Sequence, residues 1–527
     1  MKKTFLTILA FLLVFYLPFI NKAVHIDDGN FIEMSKAMDF PLSVKPGYIY
    51  YFMGNRTDNY SPFDSTHPPF IPFYLKLISS AAGGYKDYLL HAGFLIFPVL
   101  LLLSTVLLAK ELGVDQTAAV MFICGNAALL PVSHNLMADL PMFSLWMLAS
   151  YFFITGIKRD IRCRMVSAFL VITIAALMSY QTIFLLPAFF IYVVSNNKVN
   201  NKMMVFFSIP VAAITLVLLY IAAHYPSPVS GIINEVKRGL EPDRIFNKGM
   251  SIPLYTGLSA VFLLPMKYRE IKSTKKNYFL ALFSVLVVIP PVLTLSYSLW
   301  SSLWLIILAS SGIFSLIFAT RIVRDNIDDR PINFFFLTWI VLVLFYNILF
   351  MPFGAFRYIM PVIAPLTFIF LKNTPRTKAL MMSGVLTALL GFAVACGDYI
   401  YASSYRDFSD EVRKTVGRSG DRVWYIGEWG MHYYMDKNGF RYLTAGANEP
   451  GEGDLIIIAD IPKLWGPSPE LYSRMKLIDV RETRTWYPVR VMGLHVRAGY
   501  YSSLWGYLPF AISVQPIERF GIFRVIM

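Results

Sequence analysis

Two adjacent carboxylates, Asp27 and Asp28, follow the first apolar segment in the run His25-Ile26-Asp27-Asp28, and the loop they open closes at Ser65-Thr66-His67-Pro68-Pro69. Charges at the mouth of an apolar helix are costly, and chemistry explains them more readily than packing does. Neighbouring side chains on a turning backbone point apart. One acid can therefore face a cleft while the other makes structural hydrogen bonds or binds a cation. A carboxylate that meets a hydroxyl can take its proton as a general base. The alternative is a helix N-cap, since Asp28 precedes Asn30-Phe31-Ile32-Glu33 and suits the capping of an amphipathic helix. Both hold together if Asp28 caps and Asp27 reacts.

Four further features could carry chemistry. Asp139 stands at the start of the apolar run Leu140-Pro141-Met142-Phe143, although an acid followed by proline is also a plain helix-start signal. His67 sits in a stretch stiffened by Pro68, Pro69 and Pro72; it suits a phosphate oxygen or a metal, or a structural hydrogen bond. Arg357, in Phe353-Gly354-Ala355-Phe356-Arg357-Tyr358, offers the forked donors that fit phosphate, or snorkels to lipid headgroups. The segment near 225–250 carries Lys237, Arg238, Arg244 and Lys248, which could hold a phosphate or pyrophosphate or touch anionic lipid.

The elements that must position these residues are membrane helices. Of the 527 residues 56% are hydrophobic and 15% charged, where soluble domains carry about 25% charge. The net charge of +14 does not read as a nucleic-acid surface, because its residues are scattered through short loops between apolar runs. Lys158, Arg159, Arg162 and Arg164 form one such cluster, and Lys267, Arg269, Lys272, Lys275 and Lys276 a second. Arg321, Arg324 and Arg330 form a third, and Lys372, Arg376 and Lys378 a fourth. Clusters of this kind mark cytoplasmic loops. A span needs roughly 20 apolar residues, which predicts spans near 4–20, 88–109, 116–133, 140–157, 165–179, 181–195 and 203–223. Others are expected near 251–266, 278–296, 302–320, 333–351, 358–371 and 379–396. The pair near 165–195 is broken by Ser179-Tyr180-Gln181 and reads equally as one bent pair.

The expected fold is thus a polytopic α-helical membrane protein of about 13 transmembrane helices. Its N-terminus is cytoplasmic, and the first segment is an uncleaved span because Asn21-Lys22-Ala23 is a poor cleavage site. Residues 1–397 form the membrane module, with a first outer loop over 21–87. After about Asp398 the charge rises and strand-like runs such as Arg422–Ile426 and Leu455–Ala459 alternate with turns. Residues 398–527 are therefore expected to form a small α/β extracytoplasmic domain, periplasmic or extracellular. Cys124, Cys163 and Cys396 lie in or beside spans at spacings that suit neither a metal nor a disulfide framework.

Taken together these motifs resemble the polyprenyl-phosphate-dependent glycosyltransferases of the GT-C fold, including the protein O-mannosyltransferases and the bacterial aminoarabinose transferase. Asp27-Asp28 is similar to the family's first-loop acidic motif, and His67-Pro68-Pro69 to the segment that closes that loop. Ala138-Asp139-Leu140-Pro141 looks like the second-loop acidic motif, and Arg357-Tyr358-Ile359-Met360-Pro361 like the segment that opens a late helix. The resemblance implies a bacterial inner-membrane enzyme that moves a sugar, with inversion, from a polyprenyl-phosphate donor to a lipid, glycan or protein acceptor. In that reading Asp27 is the base and Asp139 orients the acceptor. Asp28, His67, Arg357, Tyr358, Lys237 and Arg238 bind substrate. Family members differ in needing a divalent cation, so no cofactor is assigned. The competing class is a polytopic transporter or flippase of lipid-linked glycans. Against it, the polar residues stand at span ends on one side rather than in mid-span.

Overall fold

Apolar stretches fold as helices in lipid because every backbone N–H and C=O must be satisfied within the segment. The structure, a computed structural model, describes residues 2–39, 43–64, 67–225, 228–267, 275–295, 297–326, 329–415, 422–445 and 450–526. Ser65, Thr66, Arg269 and Lys272 lie outside these residues. Among the described residues seven helices are long and apolar enough to cross a membrane. They are Asp87–Leu112, Asp139–Arg159, Asn201–His224, Lys275–Leu293, Leu299–Asp325, Arg330–Phe350 and Lys378–Thr415. Shorter apolar helices cover Leu6–Phe19, Phe70–Ala81, Tyr180–Ser195 and Phe356–Leu371.

The expected span near 251–266 falls on the end of helix Pro242–Ala260 and the turns after it, that near 358–371 is interrupted by the 3-10 turn Met360–Val362, and two more come out differently. The segment near 116–133 is helical only over Gln116–Ile123 and continues as turns. The segment near 181–195 opens as the 3-10 turn Tyr180–Leu185 before the helix Leu186–Ser195. The polar interruption at Ser179-Tyr180-Gln181 therefore marks a real break. The segment near 225–250 is two helices, Pro228–Gly239 and Pro242–Ala260, rather than a loop. Its apolar residues Val229, Ile232, Ile233 and Val236 recur at helical spacing, and each helix starts on a proline.

Helix Pro242–Ala260 packs on Leu299–Asp325 by backbone approach at two glycines. A Cβ on Gly257 would lie 1.7 Å from the Leu308 carbonyl oxygen, and one on Gly312 1.9 Å from that of Pro253. Only glycine permits this crossing, the device by which membrane helices associate closely.

The helix Lys378–Thr415 runs unbroken through 38 residues, so the boundary expected at 397/398 falls inside one helix. The C-terminal unit is built onto that helix. Its five-stranded sheet has the spatial order Arg441–Tyr442, Val423–Ile426, Leu455–Ala459, Glu518–Val525, Met475–Thr483. The first three strands are parallel, with helix Trp429–Lys437 crossing between Val423–Ile426 and Arg441–Tyr442, and the last two are antiparallel. Phe408 of the long helix stacks on Phe520 of the sheet at 3.6 Å between centroids. Beside it the fully buried Glu518 accepts from Tyr405 Oη at 2.7 Å and from the backbone N–H groups of Ile461 and Arg519 at 3.1 and 2.9 Å.

Burial pushes the Glu518 carboxyl up to about 8. A folded-state value raised above the unfolded one contributes stability at low pH that is lost as pH rises through the folded value. Thermal stability should therefore fall between pH 5 and about 9, and Glu518→Gln should flatten that slope. Gln keeps the oxygen that accepts two N–H groups, and its amide can donate to Tyr405. An unchanged slope in the variant would show that Glu518 does not set it.

Candidate active site

The chain turns sharply where the two acids meet. Ile26 takes φ +47°, a left-handed conformation that a β-branched residue adopts only at a cost of about 1–3 kcal/mol. The turn sends Asp27 and Asp28 apart. Asp27 ends the turn and is partly open, while Asp28 begins the helix Asp28–Ala37 and is fully buried. Asp28 does not cap that helix in the expected way. Its Oδ2 accepts from His25 N–H at 3.1 Å and its Oδ1 from Leu136 N–H at 2.7 Å. It thus sews the first outer loop to the second, and it does not line the cavity described next. Burial pushes its carboxyl up to about 8, against the opposing pull of Lys22 and of the two backbone donors.

Asp27 instead reaches Arg357. Arg357 Nη1 donates to Asp27 Oδ2 at 2.6 Å, and Nη2 donates to the Tyr358 hydroxyl at 3.1 Å, with Met137 Sδ 2.9 Å from Nη1. The guanidinium is almost wholly buried. It forms part of the wall of a cavity of about 670 Å³ that His67, Asp139 and Tyr358 also line. Residues far apart in sequence at 27, 67, 139 and 357 thus converge on one place. His67 packs against Phe31 at 5.1 Å. Its side chain stays exposed; partial desolvation against the cavity wall, with the Arg357 charge nearby, lowers its pKa, so the imidazole is neutral at physiological pH.

The rest of the wall was only partly foreseen. Ser179, Tyr180 and Gln181, at the break between two short helices, line the cavity, as do the apolar side chains Ile214, Leu218, Phe184 and Phe350. From the helix Pro228–Gly239 it is Glu235, not its basic neighbours, that faces the space. Lys237 and Arg238 are exposed, with Arg238 3.6 Å from Glu235, and neither lines the cavity. Lys248 is buried and gives its ammonium to the carbonyls of Gly239, Ile348 and Met351 at 2.7, 2.5 and 2.8 Å. There it satisfies the carbonyl end of helix Arg330–Phe350.

Arg357 is positioned from an unexpected direction, the C-terminal unit. Phe356 N–H donates to the Tyr500 carbonyl at 3.1 Å and the two rings stack at 5.0 Å. Ser503 N–H donates to the Gly354 carbonyl at 2.8 Å, and Gly354 N–H returns a bond to Ser503 Oγ at 3.0 Å. A Cβ on Gly354 would lie 1.8 Å from Ser251 Oγ, so this approach requires glycine. Asn347 holds the following turn through the Tyr358 carbonyl at 2.9 Å.

Among the described residues no group of three or more His, Cys, Asp or Glu side chains is gathered to hold a metal ion. Asp27 is engaged by Arg357, so these residues do not fit a divalent cation and no step below is routed through one.

Residues 66–225 match the family profile described as dolichyl-phosphate-mannose-protein mannosyltransferase. The resemblance read in the sequence therefore holds over the stretch that carries His67-Pro68-Pro69 and Ala138-Asp139-Leu140-Pro141. No curated protein matches the chain significantly in sequence. Among solved structures it is similar to ArnT from Cupriavidus metallidurans, both apo and bound to undecaprenyl phosphate. Identity is 11% over 91% of this chain and 96% of that one, with a TM-score of 0.43. It is also similar to the Archaeoglobus fulgidus oligosaccharyltransferase tethered with an acceptor peptide. There identity is 13% over 83% of this chain and 63% of that one, with a TM-score of 0.46.

The double acceptor role of Asp28 sets a prediction. Asn supplies one acceptor oxygen and would turn its amide donor toward a backbone N–H, so Asp28→Asn should destabilise by about 1–3 kcal/mol. Thermal unfolding of purified protein measures this, and an unaltered midpoint would mean that the link to Leu136 is dispensable.

Proposed function

We propose that the protein is a multi-pass membrane glycosyltransferase that moves a sugar from a polyprenyl-phosphate donor to an acceptor hydroxyl or amide, with Asp27 as the general base. The observation that carries this reading is the Asp27–Arg357 ion pair, 2.6 Å long, at the wall of a cavity shared by Asp139 and His67. Support also comes from the family profile over residues 66–225. The apolar wall formed by Ile214, Leu218, Phe184 and Phe350 suits an isoprenoid chain entering from lipid.

The pairing suggests how the donor readies the base. With the cavity empty, the guanidinium holds the Asp27 carboxylate. A donor phosphate is the stronger partner for the guanidinium fork and takes it over. Asp27 is then free to accept a proton. The acceptor attacks the anomeric carbon and forms the new bond from the face opposite the phosphate. The carbon–oxygen bond to phosphate breaks, and its electrons leave on polyprenyl phosphate, whose charge Arg357 stabilises. The acceptor proton passes to Asp27, and the anomeric configuration inverts. Asp139 and Glu235 are placed to accept from sugar or acceptor hydroxyls. His67, being neutral, serves as a hydrogen-bonding group rather than a counter-ion.

Asp27→Asn keeps the shape but removes proton acceptance, so turnover should fall by roughly 10²–10⁴-fold with donor binding preserved. Arg357→Lys keeps the charge but loses the fork, and should raise the donor KM more than it lowers kcat. The assay is release of polyprenyl phosphate from a labelled polyprenyl-phosphate sugar by purified protein. Full turnover in Asp27→Asn would remove it as the base. Transbilayer movement of intact donor without release would identify a flippase instead.

In this reading the cavity faces the extracytoplasmic side, with the loop after the first span forming part of its wall. Arg56→Cys and Trp486→Cys, both at exposed positions, should react with an impermeant thiol reagent in intact spheroplasts. Protection of either until the cells are lysed would reverse the orientation.

A further inference from the structure

At the end of the helix bundle opposite the Asp27–Arg357 cavity lies a second cavity, of about 740 Å³, between helices Lys275–Leu293 and Leu299–Asp325. The separation follows from helix Arg330–Phe350, whose Phe350 lines the first cavity while its Arg330 follows closely on Asp325. A helix of 21 residues is about 30 Å long, the thickness of a hydrocarbon core. Lys275, Lys276, Arg321 and Arg324 rim this second cavity, and Phe279 and Ile317 form part of its wall.

The charges here are managed differently from those elsewhere at this end. Lys372 pairs with Asp329 at 2.7 Å, Arg376 with Asp115 at 3.3 Å, and Lys158 and Arg159 with Glu111. By contrast, Lys275 and Lys276 are exposed and make no ion pair or hydrogen bond among the described residues. Arg321 and Arg324 share one acid, Asp325, at 3.4 and 3.0 Å, and Arg321 also donates to Asn277. Among the described residues four cations therefore stand around one carboxylate at the lip of a cavity. The helix below them is apolar and open: Phe279 is 71% exposed and Leu282 55%, as expected of side chains that meet acyl chains.

We propose that this cavity binds an anionic phospholipid of the leaflet opposite the active site. Its phosphodiester would sit among Lys275, Lys276, Arg321 and Arg324, with its acyl chains along Phe279 and Ile317. Two features select the class of ligand. Clustered cations at the membrane boundary attract anionic headgroups, and the wall beneath them is apolar, which a soluble anion has no use for. A neutral phospholipid would leave the surplus cations unmatched. The site is remote from the reacting groups, so its ligand would steady helix Lys275–Leu293 against helix Leu299–Asp325.

The test uses the full-length protein, purified in detergent and delipidated, with phosphatidylglycerol or cardiolipin added and bound lipid read by native mass spectrometry. The wild type should retain the anionic lipid over phosphatidylethanolamine of the same chain length. The variant Lys275→Gln/Lys276→Gln/Arg324→Gln should lose retention by roughly a hundredfold, about fivefold per charge removed. A control, Arg162→Gln/Lys198→Gln/Lys202→Gln, removes the same charge from exposed positions elsewhere and should retain lipid as the wild type does. Equal loss in the control, equal retention in the first variant, or equal retention of the neutral lipid would overturn the proposal. Displacement of the lipid by excess inorganic phosphate would overturn it too, since the ligand would then be a soluble anion. The altered positions are on the surface, and a monodisperse, unshifted elution profile shows that the variants fold.

Discussion

The half of the molecule that holds the cavity is organised around one buried cation. Lys22, 1% exposed, donates to Asp398, to the Asn135 side chain and to the Pro131 carbonyl. Asp398 also accepts from the Tyr501 hydroxyl at 2.8 Å, and Asn135 donates to that hydroxyl at 3.1 Å. Four distant segments meet there: the first outer loop, the second outer turn, the long helix Lys378–Thr415 and the C-terminal strap near 500. A buried ion pair repays its desolvation only when its remaining hydrogen-bonding capacity is filled. Here the Lys22 ammonium and Asp398 Oδ2 are met by groups from other segments, and His25 Nε2 stands 3.5 Å from Asp398 Oδ1, so moving any of the four segments would strip partners from a buried charge. Five residues after Lys22 comes Asp27. The anchor, the strained Ile26 and the Asp28 link to Leu136 together fix where the Asp27 carboxylate points.

That anchor also gives the C-terminal unit its place. Sequence composition presents residues 398–527 as an appended domain, but the strap at Tyr500–Ser503 runs among the outer ends of the helices. The Tyr500 hydroxyl donates to the carbonyls of Ala127 and Ala128 at 3.0 and 3.1 Å, while its own carbonyl holds Phe356 N–H. The segment 353–358 that carries Arg357 thus leans on a part of the chain some 140 residues later. The first outer loop is clamped from the same side, since Met53 N–H donates to Glu428 at 2.8 Å and Gly54 N–H to the Tyr442 hydroxyl at 2.8 Å. The unit is therefore a brace of the site, holding segments that line it.

What the sequence made legible was whatever has a local signature. Apolar length located most of the helices, and acids, histidine and arginine at span ends pointed to His67, Asp139, Arg357 and Tyr358, which share one cavity, and to Asp27, which pairs with Arg357 at its wall. The residues that were misplaced failed for identifiable reasons. Asp28 and Asp27 are chemically identical neighbours, and their division of labour is decided by φ at Ile26, a conformation whose usual marker is glycine. Lys237 and Arg238 looked like anion ligands as long as their segment was taken for a loop. In the helix it is Glu235 and Val236 that face the cavity, and the two basic residues turn to solvent. The boundary at 397/398 followed a change in composition that the helix itself ignores. The Tyr500 contacts are long-range and leave no local trace. Of the three cysteines beside the spans, Cys124 is buried and Cys163 is exposed.

The charge balance of the cavity limits which ligands it can welcome. Among its described lining residues Arg357 is the one cation, set against Asp139 and Glu235, with Asp27 pressed on the guanidinium from the side. A site built mainly to hold phosphate would carry surplus cations, and this one carries surplus acids. Carboxylates in a half-dry cavity are good acceptors for hydroxyl donors, and a sugar presents several. The arrangement therefore divides the ligand between two ends. In the proposed reading the fork of Arg357 takes the phosphate, and the acids take the hydroxyl-bearing ring and the acceptor. There the phosphate draws the guanidinium off Asp27, so that binding of the donor frees the base, and an acceptor that arrived first would meet a carboxylate still held by the guanidinium.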